Sequence, residues 1–544
     1  MDKENNIKNN NLVLKSTHFK TTKFLSNALF VFWACLVLYI AAHHVFWRDE
    51  VRALSFALQG NNIFEMLQNL HGEGHPALWY IILRAANAVW NKPEVLPIVA
   101  YIVAAISFLM LVMRSQFSLL LITLILTSSF ALYEYSVMAR NYGVSMLILF
   151  IVAMNYHKYR NQGLVLGVLL FLLANCNAHS ILLVVSFLLF WLLDCCSDQN
   201  INRKQFIKTF LANTCIAIIG IVFCLVTIYP TFNDAARSGL PDSITFKMLL
   251  RAVLLPSESF FDVVNATIVN YMLGNFSLAL APLTIIIKIL SSSLLFGAAL
   301  VLIKRPAALI ATWSALIAFS LFFKFIYPGS YRHEVLWVIF LITMYWISLV
   351  NKKEDEFRIL DSHNTFFSLE TIRVLGYALL VLLMIMQSAF LRRVPTLNYD
   401  VPESRSQDLG LLIQKIPQLK DAAVIADPDY LVEALPYYLQ NKTYLMREQK
   451  FGSIVRFTTK AKLILTLDDV LTNANRIKDK LHKPVIVLLS HKLNTSTSQI
   501  IKEGYNWTLT TTPSQVRSFL KSMRLLASFP QTVSDESYYV YLLI

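Results

Sequence analysis

Charge is what this chain has least of. Asp, Glu, Lys and Arg make up only 15% of its 544 residues, while 56% are hydrophobic; soluble proteins carry about 25% charged residues. An ordinary soluble enzyme is excluded. Cysteine is also scarce. The six (Cys35, Cys176, Cys195, Cys196, Cys215 and Cys224) form no C-x-x-C pair and no metal-ligand spacing, which argues against a zinc module or a dithiol redox site. Most lie in apolar runs, where cysteine behaves as a small hydrophobe. Residues 392–544 contain none, so disulfides have no part there. No glycine-rich phosphate loop is present, so a nucleotide site is not required. The first apolar run is followed by no small-residue cleavage site and reads as a retained anchor. No internal repeat is visible, which weighs against transporters built from repeated halves.

Long apolar runs are what the chain does have. Those at 24–44, 209–229, 279–303 and 372–391 reach or approach the ~20 residues that cross a bilayer, and mean hydropathy is +0.53. The chain reads as a polytopic helical membrane protein. The net charge of +14 comes from basic clusters in short loops, as the positive-inside rule expects. No aromatic-plus-basic stripe points to nucleic acid as a partner.

Five lysines (Lys3, Lys8, Lys15, Lys20 and Lys23) precede the first run and place the N-terminus in the cytoplasm. The segment HPALWYIILRAANAVW, residues 75–90, is short and interrupted by Arg84 and Asn87. If it crossed, Arg114, Lys158/Arg160, Arg203/Lys204/Lys208, Lys304/Arg305 and Lys352/Lys353 would all face outside; as an interfacial amphipathic helix it leaves them inside. The expected spans are then 24–44, 95–113, 117–133, 141–157, 162–175, 179–194, 209–229, 278–303, 307–326, 333–350 and 372–391. That is about eleven, an odd number, which puts the C-terminal region outside. Residues 1–391 form the membrane domain, with a first outer loop at 45–94. Residues 392–544 alternate strand-like and helical stretches (AAVIADPDYLVEALPYYL, AKLILTL, KPVIVLL, SYYVYLLI) and read as a soluble α/β domain.

The first outer loop is dense in chemistry, with Arg48, Asp49, Glu50, Arg52, Glu65, His71, Glu73 and His75. The same topology brings YEYSVMARNY (133–142), ANCNAHS (174–180), the loop 230–276 and FKFIYPGSYRHE (323–334) to the outer face. Arg140, Lys324, Arg332 and His333 converge there, and Lys288 lies near the same interface. Ionisable residues at membrane depth are costly and mark pathways or sites. Acids able to accept a proton, beside cations able to hold a phosphate, suggest group transfer from a lipid phosphate. Plainer roles exist for each. Asp49 and Glu50 can favour a helix N-terminus, Asp49 and Arg52 can form an i,i+3 pair, and Arg140 and Arg332 can be snorkelling anchors. His43 and His44 mark the end of the first span. Glu73 and His75 alone are too few for a metal site.

WRDE, EGHPALWY, YEYSVMARNY and GSYRHE, in that order, resemble the GT-C membrane glycosyltransferases. The likeness is to the branch of protein O-mannosyltransferases, aminoarabinose transferases and RgtA/B/C/D-like bacterial enzymes, and it covers residues 1–391. It implies a GT-C-like helix arrangement, a polyprenyl-phosphate sugar donor, and inverting transfer to an acceptor hydroxyl at the outer face of a bacterial inner membrane. It implies a first-loop acid as general base: Asp49 by position, with Glu50 as alternate. Arg84, Arg140, Lys324 and Arg332 compete to hold the donor phosphate, because many relatives have an Arg after the amphipathic helix where this chain offers only Lys92. His75-Pro76-Ala77-Leu78 also departs from the relatives' His-Pro-Pro-Leu or Lys-Pro-Pro-Leu. Some members use a divalent metal and others do not. Glu50, Glu73, His75 and His333 are the residues able to supply ligands, and Tyr142 joins Glu73, His75 and His333 as a substrate contact. An envelope glycan, a lipid or a protein can be the acceptor. A lipid-linked sugar flippase and a polysaccharide polymerase or ligase are the alternative readings.

Overall fold

The computed structural model describes residues 23–199, 201–235, 243–260, 281–350, 368–389 and 401–543. Lys3, Lys8, Lys15, Lys20, Lys352, Lys353 and much of the loop 230–276 lie outside these. Among the described residues, eight helices are long and apolar enough to cross a membrane. They are α1 (Lys23–Ala42), α5 (Val95–Arg114), α9 (Ser180–Ser197), α10 (Arg203–Ile228), α12 (Ala281–Ala298, extended by a 3-10 turn), α13 (Pro306–Phe325), α14 (Tyr331–Val350) and α15 (Leu369–Ala389).

Three expected spans take other forms. The run 117–133 breaks into α6 (Leu119–Leu126) and a π-helical turn, Phe130–Glu134. Hydroxyls cause the break: Thr127 Oγ1 donates to the Thr123 carbonyl at 2.8 Å and Ser128 Oγ to that of Ile125 at 2.6 Å, competing with the helical ladder. The span expected at 162–175 is α8 (Val165–Ala174), ten residues and so about 15 Å long. The span expected at 141–157 is α7 (Tyr142–Tyr159), whose last turns are polar.

The first outer loop folds into α2 (Arg48–Ala57), α3 (Ile63–Leu70) and α4 (Leu78–Val89), and a further short helix, α11 (Phe246–Leu254), lies between α10 and α12 in sequence. At twelve residues, α4 is about 18 Å long, well short of the ~30 Å hydrocarbon core. Asp49 and Glu50 occupy the first turn of α2, where the helix dipole favours acids. Its other end is closed by Arg84, which donates to the carbonyls of Ala57, Gln59 and Gly60 at 2.9–3.0 Å. Asn62 caps α3, accepting from the Glu65 backbone N–H at 3.0 Å.

The C-terminal domain is built on a six-stranded sheet in the order β3-β2-β1-β5-β9-β8. Its centre is β1 (Ala423–Asp427) parallel to β5 (Val485–Leu489), with β9 (Tyr538–Leu543) antiparallel beside β5. Flanking these are β2 (Thr443–Leu445), β3 (Lys450–Phe451) and β8 (Arg524–Phe529). Alternate residues point to opposite faces. Val424, Ala426, Ile486 and Leu488 enter one core, and Ala423, Ile425, Val485 and Val487 the other. With both faces covered, the central strands read as unbroken apolar runs. A smaller sheet, β4-β7-β6, joins Ile464–Thr466, Thr508–Thr511 and Gln499–Lys502. Helices α16 (Ser406–Lys415), α17 (Leu467–Leu481) and α18 (Pro513–Ser522) complete the domain. The helix expected after β1 is instead two 3-10 turns, Asp429–Val432 and Leu435–Tyr437. Pro436 has no N–H to continue an α-helical ladder.

Candidate active site

The site is assembled around the N-terminal turn of α2. Asp49 Oδ2 meets Arg140 Nη1 at 2.8 Å, with the Asp49 side chain 32% exposed. Arg48 Nε lies 3.9 Å from the other Asp49 oxygen. Burial works to raise the Asp49 pKa, but Arg140, then Arg48, Arg332 and His75, outweigh it and hold the carboxyl well below its usual range. Burial and the Arg140 charge keep His75 neutral, lowering it to about 3.

Arg140 and Arg332 approach from two further elements. Arg140 closes the segment that follows the π-helical turn; Arg332 is in the first turn of α14. The Arg332 guanidinium lies 5.3 Å from the Trp47 ring centroid, a cation–π contact, and donates to Ser330 Oγ at 3.3 Å. Tyr142 packs edge-on to His333 at 5.3 Å, and Arg140 and Arg332 lie within electrostatic reach of its hydroxyl. His333 Nδ1 accepts from the Ser330 N–H at 2.9 Å, and its ring stacks on His179 at 4.4 Å. Asp49, His75, Arg140, Tyr142, Arg332 and His333 therefore form one cluster.

Other sequence candidates sit elsewhere in the architecture. Glu50 points inward, fully buried, and accepts from His44 Nε2 at 2.9 Å, the Ala139 N–H at 2.7 Å and the Trp47 N–H at 3.4 Å. Burial disfavours charge on His44, and Glu50 overrides it, so the imidazole binds its proton more firmly than a free histidine. Glu73 is held by Arg52 in a bidentate pair at 2.7 and 2.6 Å. Arg84 is occupied by the end of α2. Lys324 is half-buried in the last turn of α13 and joins no ion pair with another described residue. Among the described residues, no three His, Cys, Asp or Glu converge as metal donors.

Sequence reading missed several partners. Arg52 also pairs with Glu433 of the C-terminal domain and donates to the Val455 carbonyl at 2.7 Å. The Arg48 side chain pairs with Asp535, and the Arg48 backbone N–H donates to Glu536 Oε1 at 2.7 Å. Ser406 Oγ donates to the Phe46 carbonyl at 2.8 Å. The first loop and the C-terminal domain are thus locked together through polar groups 360 or more positions apart in sequence, a separation without local signal. His179 was not singled out either. It is buried, and neither ring nitrogen has a hydrogen-bond partner among the described residues.

No protein-family profile matches this chain, and no curated protein does. Among solved structures the chain is similar to ArnT from Cupriavidus metallidurans, a crystal structure in the apo state. Identity is 11% and the TM-score 0.45, over 94% of this chain and 97% of that one.

Proposed function

We propose that this protein is a membrane glycosyltransferase of the GT-C type. It moves a sugar from a polyprenyl-phosphate donor to an acceptor hydroxyl at the outer face of a bacterial inner membrane, with inversion. The N-terminus is cytoplasmic and the C-terminal domain outside. The observation that carries this reading is the Asp49–Arg140 contact at 2.8 Å on a carboxylate one-third exposed, with Arg332 and His75 beside it. A part-exposed carboxylate held ionised next to two guanidinium groups pairs a proton acceptor with an anion holder. Asp49 takes the proton of the acceptor hydroxyl as its oxygen attacks the anomeric carbon. The carbon–oxygen bond to the lipid phosphate breaks, and its electron pair leaves with the phosphate. Arg140 and Arg332 stabilise that charge.

Arg140 serves both partners. In the free site it neutralises Asp49. A donor phosphate competes for the same guanidinium, and each increment of charge it draws away makes Asp49 a stronger base. Donor binding therefore primes the acid for the acceptor.

The test is expression of wild type, Asp49→Asn and Glu50→Gln in a strain lacking the endogenous protein, with membrane levels matched. Mass spectra of extracted lipids and surface glycans are then compared. Asp49→Asn should reduce a sugar-sized mass increment by about 100-fold or more, the usual loss for a general base. Full product with Asp49→Asn would sink the mechanism.

A further inference from the structure

The C-terminal domain brings a tight turn to the Arg48 side of the site, through Tyr430. Tyr505 and Asn506 are successive non-glycine residues at φ 61° and 60°, a left-handed conformation that L side chains rarely adopt. Asparagine tolerates it; a bulky aromatic does so only when its surroundings insist. They do. Glu503 N–H donates to the Trp507 carbonyl at 2.9 Å, and Asn506 Nδ2 to the Ala235 carbonyl at 3.0 Å. The turn is the tight hairpin between β6 and β7, closed by the Trp507 N–H donating to the Gly504 carbonyl at 3.3 Å, and such hairpins need φ > 0 at both central residues.

The turn presents the Tyr505 ring. One face stacks on Phe457, with centroids 3.7 Å apart and planes 19° apart. Its hydroxyl makes no hydrogen bond to any described residue, and its ring lies edge-on to that of Tyr430, centroids 6.4 Å apart. Arg48, the chain neighbour of Asp49, spreads its guanidinium 4.2 Å from the Tyr430 ring centroid. Beyond the turn is a polar rim: Glu503 accepts from Ser490 Oγ at 2.9 Å and Tyr430 OH at 3.0 Å. The adjoining Gly504 has no atom within 4 Å of where a Cβ would stand, so that side of the turn is open.

We propose that Tyr505 is an acceptor-positioning residue and that the acceptor is a saccharide, its ring seated at the Tyr505 turn with one hydroxyl directed at Asp49. This rests on the glycosyltransferase reading above. A pyranose has an apolar C–H face and an edge of hydroxyls. An aromatic ring bordered by carboxylate, hydroxyl and guanidinium groups complements both. A lipid chain would need a continuous apolar surface, and the rim is polar.

The test uses the full chain in lipid nanodiscs. The methyl glycosides of glucose, galactose, mannose and N-acetylglucosamine are titrated by saturation-transfer NMR. At least one should bind wild type. Tyr505→Ala should weaken it about tenfold, as loss of a ring contact and a hydrogen bond predicts. Gly504→Phe, which fills open space without touching the core, should do the same. Tyr505→Phe should lose only part. Absence of binding by all four glycosides, or binding indifferent to both Tyr505→Ala and Gly504→Phe, overturns the proposal. So does cellular product that is lost in Asp49→Asn yet unchanged in both turn variants, an outcome that leaves the transferase reading intact. If binding follows expectation while Asp49→Asn keeps full product, the saccharide site stands and the transferase reading falls.

Discussion

Successive helical residues diverge by about 100°, and at the start of α2 this sends Glu50 into the core and leaves Asp49 at the surface. Glu50 clamps His44 and the Ala139 N–H, while Asp49 faces Arg140. Glu50→Ala should therefore lower stability by about 1–3 kcal/mol, since it strands buried partners. Asp49→Ala should cost less, because its partner Arg140 keeps some solvent. Thermal unfolding of the two variants in detergent separates them. The pH profile gives a second residue-scale test. As the proposed general base Asp49 would act when ionised, and Arg140 is the largest influence holding its pKa down. The acid limb of kcat/KM should then lie below the ordinary carboxylate range of about 4. Arg140→Gln should move that limb to higher pH as well as weakening donor binding. An unmoved limb would separate Asp49 from the titration.

At the scale of elements, α2 is the hinge between membrane and soluble parts. Arg52 on its inner side binds Glu73 of the same loop and Glu433 of the C-terminal domain. Removing one partner of a buried ionic group leaves uncompensated charge, at a cost of about 3–5 kcal/mol. Arg52→Ala should accordingly destabilise the protein by that order and expose the segment 452–458 to limited proteolysis. Arg52→Ala combined with Glu73→Gln and Glu433→Gln should recover part of the loss. Cleavage resistance equal to wild type in Arg52→Ala would show that the latch contributes nothing. The interrupted run 117–134 is the other informative element. Its hydroxyls were in the sequence, but hydropathy weighs a Thr-Ser-Ser step too lightly to show a break.

For the whole molecule, the docking of the C-terminal domain carries a pH dependence. Glu536 is buried against α2 and its pKa is pushed up to about 8, chiefly by burial, with Arg48 opposing. In the unfolded chain it returns to about 4.3. Between those values the folded state holds a proton that the unfolded state has released. Stability from this group is complete below about pH 4.3, declines as pH rises, and is gone once pH passes about 8. Melting temperature should fall across that window, and Glu536→Gln should flatten the fall. A wild-type slope unchanged in Glu536→Gln would assign the dependence to other groups.

The sequence by itself determined the class of molecule and much of its layout. Apolar runs too long for a soluble core dictated membrane helices, and strand-like stretches such as KPVIVLL alternating with helical ones dictated an α/β domain. Those signals are local, carried by residues within one element, so they are readable in one dimension. The charged loop after the first span was conspicuous for the same reason. Only the tertiary structure decided what each charge does. Arg84 became a helix cap and Glu73 the partner of Arg52, and Glu50 turned inward from Asp49. Tyr505, some 450 positions downstream in sequence, was carried to the rim of the site. Such assignments depend on which distant groups share a desolvated space, and partners that far apart leave no periodicity in the chain.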